Sequence, residues 1–320
     1  MPHSILITGA TGFVGSHLAQ QLVKNGHTIL CAVRSKKTIG ALQTHVIGEI
    51  HATTDWASCL NSIDTVIHCA ARVHIMNEAE SDPIQAFRKV NVAGTLRLAE
   101  QAAQAGVRQF IYISSVKVNG ESTSIGKPFN EEDEPKPSDA YGISKYEAEL
   151  ALLELSKKIK MSVTIIRPPL VYGNGVGANF LSMLRWVHKQ IPLPLANIQN
   201  QRSLIYVENL VDLIMTCIQN PAAYNQIFLA SDDEDVSTSQ LLKQSANALQ
   251  VPSRLFSFPS NFLVFSAKLL GKKSVTDRLY QSLQVDISKA KKILHWTPPF
   301  TLNQGLIASV ASLIKTDNKN

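Results

Sequence analysis

The sequence predicts an α/β fold: a doubly wound parallel sheet with helices on both faces, joined to a smaller, discontinuous second domain. Three observations carry this expectation. Short apolar runs alternate with helical patterns through the first half, a glycine-rich turn closes the first run, and Pro-, Asn- and Gly-rich loops begin after Pro168. Apolar runs of strand length, spaced by helices, read as βαβ units whose strands are buried on both faces.

Taken in order, "SILITGA" is the first strand, followed by an apolar-periodic helix from Gly12 to about Asn25. "HTILCAVRS", "THVIGE" and "IDTVIHCAA" are the next strands, then come a helix around 84–105 and the strand "QFIYISS". A helix carrying "YGISK" precedes the strand "MSVTIIRP". Beyond it, "RPPLVYGNGVG", "QIPLPLANIQNQ" and "FSFPSNF" read as loops, while "RSLIYVENLVDLIMTCI" returns to strand and helix. This assigns residues 1–168 and 206–230 to the sheet domain, and 169–205 and 231–320 to the second.

With 320 residues, 45% hydrophobic and 18% charged, the chain can bury a large core and has the composition of a soluble globular protein. The formal charge is +6, yet no basic run or stripe interleaved with aromatics stands out. That argues against a nucleic-acid partner and suits an anionic small molecule. Cys31, Cys59, Cys69 and Cys217 show neither C-x-x-C spacing nor a nearby His pair, so reduced thiols and no metal are expected. Met1 leads straight into a strand without a signal-peptide pattern, which makes the cytoplasm the expected location. "LFSFPSNFLVFSAKLLG" (255–271) is interrupted by Pro259 and Lys268. It falls short of the span of about 20 apolar residues that stable membrane insertion needs. A packed loop and helix is the plainer reading, an interfacial patch the alternative.

"ITGATGFVG" sets Gly9, Gly12 and Gly15 at G-x-x-G-x-x-G spacing between a strand and a helix. Such a turn lets the backbone approach a pyrophosphate, and the helix N-terminus offers it unpaired N–H groups. Thr11, Phe13 and Val14 belong to the same dinucleotide-binding turn. An acid at the end of the second strand would bond the adenosine ribose of NAD. Here "CAVRSKK" places Val33 there, followed by Arg34, Lys36 and Lys37. An arginine can grip a 2′-phosphate that a carboxylate would repel, so NADP(H) is favoured and NAD(H) remains open. The small residues Ala70 and Ala71 of "HCAAR" let a strand end run beside the cofactor, and Asn91 of "NVAGT" lies on a helix facing the sheet.

In "YGISK", Tyr141 and Lys145 are i and i+4 and share a helix face. A phenol is a poor proton carrier at neutral pH until a nearby cation stabilises its phenolate, and Lys145 can supply that cation. Ser114 and Ser115 of "FIYISSVKVNG" end the preceding strand at the carboxyl edge of the sheet, where open α/β folds bind ligands. A serine there can hold a substrate oxygen while Tyr141 exchanges its proton. Proton transfer at an alcohol carbon is the chemistry these residues suit.

"TGATGFVG", "HCAA", "NVAGT", "YISSVKVNGE", "YGISK" and "RPPLVYG", with the tail "VDISKAKKILHWTPPFTLNQGL", together resemble the extended short-chain dehydrogenase/reductases. The branch resembled is that of nucleotide-sugar epimerases, dehydratases and reductases, and the likeness covers essentially the whole chain. It implies a Rossmann domain, Tyr141 as catalytic acid/base, Lys145 as its ribose-binding partner and Ser115 as the aligned hydroxyl. Glu49 replaces an Asp that touches adenine, and Ile50, Ser114 and Pro168 complete the implied cofactor contacts. A UDP-sugar substrate is implied, with Asn179, Arg202 and Arg278 as diphosphate ligands and Lys117 as a further substrate contact. A homodimer is implied as well.

Two reactions remain open. The leading expectation is reduction of a UDP-4-keto-6-deoxy-N-acetylhexosamine at C4, favoured by Arg34 and by Lys117 and Asn119 in "SSVKVNGE". The alternative is a UDP-glucose or UDP-N-acetylglucosamine 4-epimerase with tightly bound NAD. A dehydratase would want an acidic pair after the strand serine, where Val116 and Lys117 stand. A dinucleotide-sensing protein without catalysis is the distant alternative.

Overall fold

A computed structural model of the chain describes residues 2–36, 39–73, 82–259 and 279–317. Its strands, in chain order, are β1 (Ser4–Thr8), β2 (Thr28–Val33), β3 (Gln43–Val46), β4 (Thr65–His68), β5 (Gln109–Ile113), β6 (Ser162–Arg167), β7 (Leu170–Tyr172), β8 (Leu204–Tyr206) and β9 (Gln226–Leu229). Seven of them form a parallel sheet in the order β3-β2-β1-β4-β5-β6-β9. The chain winds outward from β1 to β3, then restarts at β4 on the other side of β1. The carboxyl ends of β1 and β4 therefore flank the switch point, the crevice where such sheets bind ligands.

The strand residues Ile5, Leu6, Ile7, Val66, Ile67, Ile111, Val163 and Ile165 are fully buried, as continuous apolar runs covered on both faces require. Helices α1 (Phe13–Lys24) and α6 (Val207–Cys217) cover one face. The other is covered by α3 (Thr95–Gln104) and α4 (Ala140–Ser156).

The expected helix around 84–105 is not uniform. It starts at α2 (Pro83–Phe87), where Asp82 accepts from the Gln85 N–H and Pro83 fills the first turn. It then widens into a π-helical turn over Arg88–Gly94 before α3. Such turns often mark functional sites, and this one carries Asn91.

A second core gathers Tyr172, Phe180, Leu184, Leu204, Leu241, Leu242, Leu306 and Val310. It is built from the β7–β8 pair and the helices α5 (Ala178–His188), α7 (Thr238–Ala248) and α9 (Leu302–Asp317). The segment around α8 (Ser288–Leu294), grouped by sequence with the second domain, instead sends Val285, Ile287, Leu294 and Trp296 into the sheet's core.

Of the apolar stretch 255–271, residues 260–271 lie outside the described residues; Phe256 and Phe258 before it are each 45% exposed. No helix among the described residues is long and apolar enough to cross a membrane.

Candidate active site

The glycine turn is shaped by close approach. Gly9 has φ +72°, and a Cβ there would lie 2.7 Å from the Ala70 nitrogen at the end of β4. A Cβ on Gly15 would lie 2.2 Å from the Gly9 carbonyl oxygen, so only glycine lets α1 begin this close to the turn. The Gly12 N–H donates to that oxygen at 2.9 Å. No side chain caps α1 and no acidic residue sits in its first turn, which leaves the N–H groups of Phe13, Val14 and Gly15 for an anion. Thr11 and Gly12 are exposed beside them. This is a cradle that a pyrophosphate fits.

The rest of the crevice is braced from within the protein. Thr8 Oγ1 accepts from the Ala70 N–H at 3.2 Å and is hydrogen-bonded to His68 Nδ1, 2.7 Å away. His68 Nε2 is hydrogen-bonded to Thr95 Oγ1 at 3.0 Å. Burial first, and the nearby Lys145 charge second, push His68 down to about 3, so the ring stays neutral. Asn91 is buried and its amide is used by the protein: Oδ1 accepts from the Arg72 N–H at 2.8 Å. Nδ2 donates to the Arg72 carbonyl and to Ser144 Oγ, both at 3.0 Å. Asn91 thus holds the Arg72 backbone, at the end of the segment that follows β4, from both its N–H and its carbonyl. Ile50 is buried, its Cγ2 only 2.5 Å from where a Cβ on Gly94 would stand, and Glu49 is exposed. Val33 is buried at the end of β2, with Arg34 and Lys36 exposed after it; Lys37 lies outside the described residues.

Asp139 caps α4 by accepting from the Gly142 N–H at 2.7 Å, which starts the helix immediately before Tyr141. Tyr141 and Lys145 do share a face. Lys145 is buried, with Nζ donating to the Ile113 carbonyl at 2.8 Å, 4.5 Å above the Tyr112 ring centroid and 5.9 Å from that of Tyr141. Ser115 ends β5 with an extended backbone, capping the short turn Val116–Val118, and its hydroxyl reaches the Tyr141 phenol. Ser114 is 3% exposed, and its hydroxyl has no partner among the described residues. An orphaned hydroxyl beside Lys145's anchor fits a bound polar ligand. Pro168 is buried next door, its carbonyl accepting from the Val116 N–H at 3.0 Å.

One expectation is corrected. The phenol is not acidified in this arrangement: burial first, and the Asp139 carboxylate second, push Tyr141 up to about 12, against a smaller opposing pull from Ser115. The Lys145 ammonium faces a carbonyl and a ring rather than the phenolate position, and its own burial lowers it to about 8.

Sequence reasoning missed the support beneath the pair. Arg167 and Glu149, 3% and 1% exposed, form a two-point ion pair with Nε–Oε1 at 3.0 Å and Nη2–Oε2 at 2.5 Å. Arg167 Nη1 also donates to Asn119 Oδ1 at 3.0 Å. This network joins β6, α4 and the turn after β5, the three segments that position Tyr141, Lys145 and Ser115. Glu149 continues the Lys145 face by four residues, a spacing that could have flagged it.

The expected substrate residues are more dispersed. Lys117 is bonded to Glu121 at 2.9 Å and to Asp139. Asn179 is exposed in the first turn of α5, a helix whose N-cap, Gly177, makes no side-chain bond. Arg202 is half-buried, its backbone paired with Val236 and its Nη1 donating to the Gln281 carbonyl at 3.1 Å. Arg278 lies outside the described residues.

A glycine cradle at the switch point, and a serine, a tyrosine and a buried lysine around the carboxyl end of β5, form the candidate site. The chain belongs to the NAD dependent epimerase/dehydratase family, whose model matches residues 5–229, and is an enzyme of the extended short-chain dehydrogenase/reductase type. It is 47% identical to a UDP-glucose 4-epimerase of Vibrio cholerae, with 100% of this chain and 98% of that protein covered. It is 27% identical to an N-acetyl-alpha-D-glucosaminyl-diphospho-ditrans,octacis-undecaprenol 4-epimerase of Escherichia coli O157:H7, covering 96% and 94% of the two chains. The fold matches the crystal structure of UDP-N-acetylglucosamine 4-epimerase from Bacillus cereus with TM-score 0.79 at 20% identity, covering 97% and 99% of the chains.

Proposed function

We propose that the protein is a C4 epimerase of a UDP-linked hexose or N-acetylhexosamine. The observation that carries this reading is the end-to-end 47% identity to the Vibrio cholerae UDP-glucose 4-epimerase. The gathered Ser115, Tyr141 and Lys145 support it. The 4-epimerase alternative of the sequence reading therefore moves ahead of 4-ketosugar reduction.

The bound nicotinamide supplies a reversible hydride acceptor. Ser115 Oγ would hold the C4 oxygen, and Tyr141, having given its own proton to solvent, would take the C4 hydroxyl proton as the phenolate while the C4–H bond breaks. Lys145 would bind the cofactor ribose, and its ammonium, 5.9 Å from the Tyr141 ring centroid, would act on the phenolate only across that distance. With the 4-keto sugar turned over, the reduced nicotinamide would supply hydride to its other face and Tyr141 would give the proton back to the oxygen, so that no net oxidation would occur. Asn179 and Arg202 would hold the nucleotide diphosphate, with Arg278 as a further diphosphate ligand and Lys117 as a further substrate contact.

Arg34 supports the second reading. It is exposed at the end of β2, where a 2′-phosphate would lie, as suits a reductase using NADPH. The cofactor state separates the two. An epimerase purifies with its dinucleotide retained and needs none added; a reductase consumes external NADPH in step with a 4-keto sugar and stalls without it.

A further inference from the structure

The imidazole of His17, on the helix that opens at the glycine turn, is gripped from two sides. Nδ1 lies 2.6 Å from Glu208 Oε1 on α6, and Nε2 lies 2.8 Å from the backbone carbonyl oxygen of Asn174. Asn174 belongs to the segment 173–177, which leads directly into α5 and Asn179. Phe13 packs edge-on against the ring at 5.6 Å, and Gln21 Nε2 donates to Glu208 Oε2 at 3.1 Å.

A carboxylate oxygen and a carbonyl oxygen can only accept, so each ring nitrogen must carry a proton. A neutral imidazole has one N–H and can serve one side alone. We propose that His17, held as an imidazolium, is a positioning residue that ties the cofactor helix α1 to the 173–177 segment and so sets Asn179 against the nucleotide diphosphate. The identity of that ligand rests on the nucleotide-sugar reading above; the tie itself does not.

The charged groups around the ring are few. Glu208 faces it from α6, Lys24 on α1 acts on Glu208, and the 173–177 segment contains no ionisable side chain. The hydrogen bond to Glu208 raises His17 above the ordinary 6.5, overriding burial. The raised group is fully charged below its ordinary value, so the tie holds there and opens as pH rises through the raised one.

The test measures UDP-glucose affinity by calorimetry across the His17 titration, itself followed by NMR, in the wild type, His17→Gln and Glu208→Gln. Wild-type affinity is expected to weaken about tenfold as His17 loses its proton, the worth of one charge-assisted hydrogen bond. His17→Gln is weak at every pH, because an amide cannot donate to both acceptors from that position. In Glu208→Gln the new amide can donate to Nδ1 of a neutral ring while Nε2–H keeps Asn174, so affinity stays high and its pH dependence disappears. A wild-type affinity indifferent to His17 titration, or a Glu208→Gln protein as weak as His17→Gln, overturns the proposal. If neither UDP-glucose nor UDP-N-acetylglucosamine binds at any pH, the nucleotide-sugar reading falls instead. Hydrogen exchange of the 173–177 amides then judges the tie, expected to be protected in wild type and Glu208→Gln and open in His17→Gln; equal exchange in all three would refute it.

Discussion

Tyr141 enters the site as a neutral phenol, pushed up to about 12 by burial and by Asp139, beside an ammonium lowered to about 8 by its own burial. The two groups do different work. If Tyr141 carries the proton, as proposed, Tyr141→Phe should lower kcat by about 10²–10⁴-fold while leaving the folded circular-dichroism spectrum intact. Turnover near the wild-type rate would rule out this tyrosine as the acid/base. Lys145 supplies charge. A lysine whose folded value is lowered loses that charge as pH rises through about 8, so kcat should fall above that point. Lys145→Arg, whose guanidinium stays protonated, should remove this alkaline limb at whatever rate remains. An unchanged limb in the variant would place the titration elsewhere.

Helix α4 and the strand ends around it show why some of the site was legible in sequence and some was not. Gly9, Gly15, Tyr141 and Lys145 declare themselves because their spacing is local: a turn, or one helical repeat. Ser115 could be placed because it ends a strand. Glu149 continues the Lys145 face, but it meets Arg167, and Arg167 meets Asn119, only through tertiary packing, across 18 and 48 residues of chain, and no local pattern announces those partners. The phenol's upward shift was misjudged for the same reason. Spacing puts a cation one turn away, but the strand carbonyl of Ile113 decides where it points. Removing one partner of a buried ion pair strands the other charge, so Glu149→Ala should cost about 3–5 kcal/mol of stability in urea unfolding. A loss under about 1 kcal/mol, the worth of an exposed pair, would mean that the network does not brace α4. At the end of β2, Arg34→Ala should weaken NADP(H) binding about tenfold or more and leave NAD(H) unchanged, if Arg34 grips a 2′-phosphate. Equal loss for both, or none, would remove the basis for an NADP preference.

Across the whole molecule, the sheet's reversal between β1 and β4 sets the cofactor crevice, and the second core stands beside it on β7, β8, α5, α7 and α9. The doubly wound sheet was readable because buried parallel strands have a simple apolar signature. The return of Val285, Ile287 and Trp296 to the sheet core was not, because nothing local distinguishes which of two cores an apolar residue joins. The central claim is that this framework oxidises and re-reduces one carbon without net consumption of cofactor. Proton NMR of UDP-glucose and UDP-N-acetylglucosamine, each incubated with the purified enzyme and no added dinucleotide, tests it most directly. At least one of them should reach a mixture of its two C4 epimers. Neither changing, while a UDP-4-keto-6-deoxy sugar is reduced at the expense of added NADPH, would contradict it.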